Sequence, residues 1–181
     1  PSSCAAFEEA VKMEKDPENV EKYMKEFVEI QLEIHDKTAP LLNKMKDKMS
    51  VRINSLKAVN ATTRYELSTR LESMPKHKKV LHGDYNPTNV VIDKDGKYYI
   101  LDWSHATQGN ASADAATTYL LLTLQDPKMA EMYMNMFCDM SDTAKQYVQR
   151  WLPIVAASRL TKAIPEEKDL LEKWLDVVEY E

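Results

Sequence analysis

The sequence predicts a mainly α-helical domain with one small β-hairpin, an α+β class, filling residues 1–181. Three observations carry that expectation. Apolar residues recur at three- and four-residue spacing along much of the chain, the signature of amphipathic helices. Short strand-like runs are confined to residues 80–101. The only three glycines, Gly83, Gly96 and Gly109, fall in or beside that stretch.

Taken in order, the first clear helix opens at Asp16-Pro17-Glu18, which offers a cap, a first-position proline and an acid in the first turn. Val20, Met24, Phe27, Ile30 and Ile34 continue it to about His35, where an imidazole suits the negative end of the helix dipole. Pro40 interrupts the pattern. Residues 41–58 and 62–73 read as two further helices, broken near Asn60-Ala61 and closed by Pro75. The basic run Lys76-His77-Lys78-Lys79 reads as a solvated loop. Val80-Leu81 reads as a strand, 82–88 as a polar loop and Asn89 to Ile92 as a second strand. Asp93-Lys94-Asp95-Gly96 then turns the chain into a return strand from Lys97 to Leu101, the Asp-Gly pair being a strong hairpin signal. Gly109-Asn110-Ala111-Ser112 reads as a turn and cap before an apolar helix from Ala113 to Leu124.

Three more helices are expected beyond residue 125. Met129, Met132, Met136 and Met140 form a stripe suited to flexible core filling. Ser141 opens a helix carrying Tyr147, Trp151, Val155 and Leu160. Pro165-Glu166-Glu167 opens the last, through Leu170, Leu171, Trp174 and Val178.

Composition narrows the function classes. Hydrophobic content of 44% fits a globular core, and the apolar run Tyr119 to Leu124 is far too short to span a bilayer. No charged-then-apolar leader of the secretory type is present. Cys4 and Cys138 show no C-x-x-C or His pairing, which predicts no metal framework and a reducing, cytoplasmic setting. A net charge of −5 argues against a nucleic-acid partner.

The chemistry concentrates in residues 82–103. The hairpin would bring Asn89, at its start, and Asp102, at its end, to the same end of the ribbon. Two hard oxygen ligands side by side, with other positions left to water and phosphate, suit Mg2+. Asp84, five residues before Asn89, sits on the adjoining loop, where a carboxylate orients or deprotonates an incoming hydroxyl. His82 reads as a buried ring holding that loop. Asp114, in the first turn of its helix, is favourable with the dipole on local grounds alone.

The segment resembles the protein-kinase skeleton H-x-D-x-x-x-x-N followed by a metal-binding Asp, with Gly83 in place of the kinase Arg and Asp102-Trp103-Ser104 in place of D-F-G. It is more closely similar to the aminoglycoside phosphotransferase and choline kinase family, whose signature is H-G-D-x-x-P-x-N followed by I-D-W. The resemblance is specific over residues 80–118 and loose elsewhere. It implies a protein-kinase-like C-terminal lobe that transfers the γ-phosphate of ATP or GTP to a hydroxyl of an aminoglycoside-, choline- or sugar-like acceptor. Asp84 would be the catalytic base, Asn89 and Asp102 the Mg2+ ligands, and His82 and Asp114 the supports of the catalytic loop. The short span from Asp102 to Asp114 lacks room for a long activation loop, which favours a small-molecule acceptor. The family's C-terminal helices form the acceptor pocket. From Asp126 onward 11 acidic residues stand against 7 basic ones, a mild excess that would suit a cationic acceptor. His105 and Gln108, just after Asp102, are candidate acceptor contacts.

No glycine-rich phosphate loop can be built from these three glycines, and no strand before Val80 is expected to carry a phosphate-pairing Lys. The resemblance therefore implies an N-terminal nucleotide-binding lobe missing from this chain, leaving the fragment inactive alone and prone to self-association. An alternative is a non-catalytic nucleotide-sensing or interaction module with the same fold. Intact Asp84, Asn89 and Asp102 weigh against it.

Overall fold

Helical periodicity decides most of the architecture. The computed structural model describes residues 7–176, so Cys4 and Val178 lie outside the described residues. The chain opens with strand β1 (Phe7–Glu8) and helix α1 (Glu9–Lys15). Neither was legible, because a two-residue strand has no periodicity to detect. β1 precedes Val80, but its two residues include no lysine. Pro17–Asn19 then forms a 3-10 turn that leads into α2 (Val20–His35). The next two helices are α3 (Met45–Ser55) and α4 (Ala61–Ser73). α3 is shorter than the expected 41–58, since Lys44 and Leu56 are extended at its two ends. Asn60 caps α4 by accepting a hydrogen bond from the Thr63 amide, 2.8 Å.

Strands β2 (Lys79–Leu81), β3 (Val90–Ile92), β4 (Tyr98–Ile100) and β5 (Thr107–Gly109) follow. They make two small antiparallel sheets, not one hairpin. β3 is central between β1 and β4, with Val90 opposite Ile100 and Phe7 opposite Ile92. β2 pairs with β5, Lys79 opposite Gly109, so Gly109 belongs to a strand rather than a turn. A Cβ on Gly109 would lie 3.0 Å from that of Met45, which allows β5 to press close against α3.

α5 (Ala111–Gln125) is the central helix. Ala113, Ala115, Ala116, Thr118, Leu120 and Leu122 are buried on several of its faces, as expected of a helix enclosed by others. α6 (Pro127–Ser141) buries Ala130, Tyr133, Met134 and Phe137. The methionines expected to fill the core, Met129, Met132, Met136 and Met140, are half-buried on its margin, because the true core stripe is offset along the same helix. Ser141 ends α6 rather than opening a helix. The next segment is broken into α7 (Lys145–Gln149) and α8 (Leu152–Leu160), with Pro153 in the first turn of α8. A 3-10 turn at Pro165–Glu167 precedes α9 (Lys168–Lys173). Among the described residues, no helix is long and apolar enough to cross a membrane.

Candidate active site

Three segments distant in sequence meet at the loop after β2. Gly83 has φ +85°, and a Cβ there would stand 2.4 Å from the His105 carbonyl oxygen. No side chain fits this approach, which accounts physically for glycine between His82 and Asp84. The His82 ring is fully buried. Its Nε2 donates to the Leu101 carbonyl (2.8 Å), and its Nδ1 accepts from the Asp84 amide (3.2 Å). One neutral imidazole thus ties the Asp84 loop to the segment that carries Asp102.

Asn89 Nδ2 donates to the Asp84 carbonyl (2.8 Å) and to Asp84 Oδ2 (3.2 Å). Both partners are acceptors, so the amide nitrogen must face them and Oδ1 is turned away. The Leu101 amide donates to the Asn89 carbonyl at 2.8 Å, which sets Asp102 immediately beyond the same end of the β3–β4 ribbon. Asp102 is exposed and has φ +56°, a left-handed conformation that Asp tolerates better than most residues. Its Oδ1 accepts from Ser104 Oγ at 2.6 Å. That bond and the Ser104 amide hold the carboxyl below its usual range. Asn89 Oδ1 and the Asp102 carboxylate are hard oxygen donors of the kind Mg2+ takes, in a number that leaves most positions to water and phosphate. Among the described residues, no larger His/Cys/Asp/Glu cage is present.

Asp114 is 2% exposed at the start of α5. Its Oδ1 accepts from the Gly83 amide (2.9 Å), and its Oδ2 accepts from the His82 amide (3.4 Å), His35 Nε2 (2.8 Å) and Gln31 Nε2 (3.3 Å). Burial pushes this carboxyl up, but the His35 hydrogen bond and charge, with the Gly83 amide, outweigh it and hold it low. Gln31 in turn accepts from the Tyr133 hydroxyl and donates to Thr118 Oγ1, 3.2 Å, whose hydroxyl donates to the Tyr85 carbonyl, 2.8 Å. Gln31, Thr118 and Tyr133 were not singled out in the sequence. Polar residues inside apolar helices are ambiguous until their partners are known.

A pocket opens beside Asp84, bounded by α3, α5 and α8. His105 lines it and Gln108 does not. Gln108 Nε2 is committed to the carbonyls of Pro40 (3.1 Å) and Leu42 (2.6 Å), so this candidate acceptor contact is a scaffold residue. The charge expected of the pocket is also corrected. Among the described residues, the stretch after Asp126 places Arg159 and Lys162 on the pocket and no carboxylate, while α3 adds Lys48 and Arg52. The basic residues between 44 and 52 were the available signal, and in sequence they look like any solvated helix face.

Comparison with known proteins places the chain in a family and a fold. The sequence profile of the phosphotransferase enzyme family (APH) matches residues 13–154. No match was found among curated proteins. Among solved structures, the chain is similar to choline kinase LicA from Streptococcus pneumoniae, with 15% identity and a TM-score of 0.64, over 87% of this chain and 64% of that one. LicA in complex with AMP gives 14% identity and a TM-score of 0.62, over 88% of this chain and 64% of that one. A choline/ethanolamine kinase family protein from Mesorhizobium loti gives 12% identity and 0.58, over 96% and 63%. The chain therefore spans just under two thirds of the length of these structures.

Proposed function

The chain belongs to the phosphotransferase enzyme family, and from that premise we propose that it is the catalytic, acceptor-binding lobe of a kinase. The enzyme transfers the γ-phosphate of ATP or GTP to a hydroxyl of a small molecule. One observation carries the reading: Asp84 and Asn89 are hydrogen-bonded to each other, Asp102 follows a residue bonded to Asn89, and Asp84 itself lines a pocket. The AMP complex among the structural neighbours supports a nucleotide donor.

In this reading the acceptor hydroxyl lies against Asp84, whose carboxylate takes its proton. The freed oxygen bonds to the γ-phosphorus, the bond from that phosphorus to the β–γ bridging oxygen breaks, and the nucleoside diphosphate leaves. Asn89 Oδ1 and Asp102 would hold Mg2+, which supplies charge neutralisation on the phosphates when bound. Asp114 and His82 hold the loop in register. This chain's three glycines offer no phosphate cradle, so that part is assigned to an N-terminal nucleotide-binding lobe outside the 181 residues.

The test is nucleotide consumption by the full-length protein, with Mg2+, over a panel of hydroxylated small molecules. We expect acceptor-dependent turnover that Asp84→Asn lowers by about two to four decades, the scale of positioned general-base help. A protein that binds nucleotide but consumes none with any acceptor would instead be a sensing module.

A further inference from the structure

The pocket beside Asp84 carries four cationic side chains, Lys48, Arg52, Arg159 and Lys162, against the carboxylates of Asp84 and Asp114. Asp114 is already engaged by His35 and by the backbone of its own loop. Arg159 is matched by Glu167 through two 2.8 Å hydrogen bonds. Lys48 and Arg52 have no carboxylate partner among the described residues, while Lys162 is exposed and lies close enough to Glu167 to help hold that carboxyl low. Arg52 Nη1 donates to Ser158 Oγ at 2.8 Å, and Lys48 Nζ reaches only the His105 carbonyl, 3.5 Å away.

Folding alone gives no reason for this arrangement. Lys48 and Arg52 lie one turn apart on α3, a like-charge spacing that destabilises a helix. Burial, and then repulsion from Arg52 and Lys162, pushes the Lys48 ammonium below its usual range. Burial does the same to Arg52. His105 is held low by burial and by Lys162 and Lys48, so it sits among these cations as a neutral ring. Lys48 and Arg52 are partly desolvated like charges facing one cavity, and an anionic ligand supplies the counter-ion they lack. The cavity has a free volume of about 60 Å³. That is room for a few waters, or for one carboxylate or phosphate group.

We propose that the acceptor itself is an anion, a hydroxylated molecule whose carboxylate or phosphate monoester seats between Lys48, Arg52 and Lys162 while its hydroxyl faces Asp84. This rests on the phosphotransferase reading and deepens it by naming the acceptor class. Choline and amino sugars carry the wrong sign for this pocket.

The experiment has two arms. In the first, the full-length protein is assayed with matched hydroxylated acceptors that are anionic, neutral or cationic, and the KM for acceptor and for nucleotide are determined separately. Anionic acceptors should be preferred by about tenfold or more in kcat/KM. Lys48→Met and Lys162→Met should each raise the acceptor KM by about tenfold, the scale of one charge-assisted contact, and leave the nucleotide KM unchanged. Lys48→Arg should retain the wild-type value. Preference for a cationic acceptor overturns the proposal and leaves the phosphotransferase reading standing. A rise confined to the nucleotide KM also overturns it, by assigning the cations to the donor phosphates.

In the second arm, inorganic phosphate is titrated into the full-length protein and followed by backbone-amide NMR of the pocket lining, at Gly83, His105 and Ser158. Saturable shifts that vanish in the Lys48→Met/Lys162→Met variant support an anion site even if no acceptor is turned over. No saturable shift, or shifts that survive in the variant, overturns it.

Discussion

Asp84 and Asp102 are carboxylates on two segments tied by one His82 ring, but their surroundings suit them to different work. Asp84 is braced by two asparagines, Asn86 and Asn89, whereas Asp102 is exposed and fixed only by Ser104. Because Ser104 holds the Asp102 carboxyl low, it stays ionised throughout the neutral and mildly acidic range. Asp102→Asn keeps a side chain that tolerates φ +56° while removing the charge. It should abolish Mg2+-dependent nucleotide binding by the full-length protein, whereas Asp84→Asn should leave that affinity nearly intact. Isothermal titration in Mg2+ decides this; equal losses in both variants would refute the division of roles. Asp114 answers to stability. Its depressed folded-state pKa means that its contribution is fully present above the unfolded value of about 3.9 and is lost as pH falls through the folded one. Asp114→Ala should therefore lower stability by about 1 to 3 kcal/mol at neutral pH, stranding the Gly83 and His82 amides. The difference from wild type should shrink in acid. Thermal melts at both pH values test it, and an inactive variant with unchanged melting would place Asp114 in the reaction itself.

At the scale of elements, the short β5 strand does more than its length suggests. It pairs with β2, its Gly109 lets it approach α3, and Gln108 pins the 40–42 segment that leads into α3. Since α3 carries Lys48 and Arg52, that pinning positions one wall of the pocket. Gln108→Ala removes two hydrogen bonds to carbonyls and should cost about 1 to 2 kcal/mol of stability. The acceptor KM should stay near wild type. Melting curves paired with acceptor kinetics separate the alternatives, because a raised KM with unchanged melting would return Gln108 to the acceptor site.

For the whole molecule, the described residues present candidate Mg2+ ligands and a candidate base, and their glycines do not build a phosphate cradle. Phosphoryl transfer is mostly positioning plus charge stabilisation. The 181-residue chain alone should therefore show no measurable kinase activity and a nucleotide Kd in the millimolar range or weaker, by the affinity arithmetic of losing several contacts. Tyr98, Tyr99, Leu101 and Trp103 are each more than one third exposed, along β4 and just beyond it. Exposed aromatic and apolar side chains along this edge of the ribbon favour self-association. Light scattering together with a coupled turnover assay checks both expectations; a monodisperse monomer with steady acceptor-dependent turnover would contradict them.

The sequence by itself determined whatever depends on local spacing. The α2 face from Val20 to His35 was legible because a helix repeats its apolar contacts every three or four residues. The β3–β4 hairpin was legible because Asp95-Gly96 supplies its turn, and the spacing of His82, Asp84, Asn89 and Asp102 marked the segment proposed to carry the chemistry. Only the tertiary structure decided what Asp114 and His35 do for each other across 79 residues, and that Gln108 serves the scaffold. It also decided that the pocket is basic. The charge of a cavity is set by side chains from elements more than 100 residues apart, such as Arg52 of α3 and Arg159 of α8, and no local pattern records which of a helix's charges will face inward.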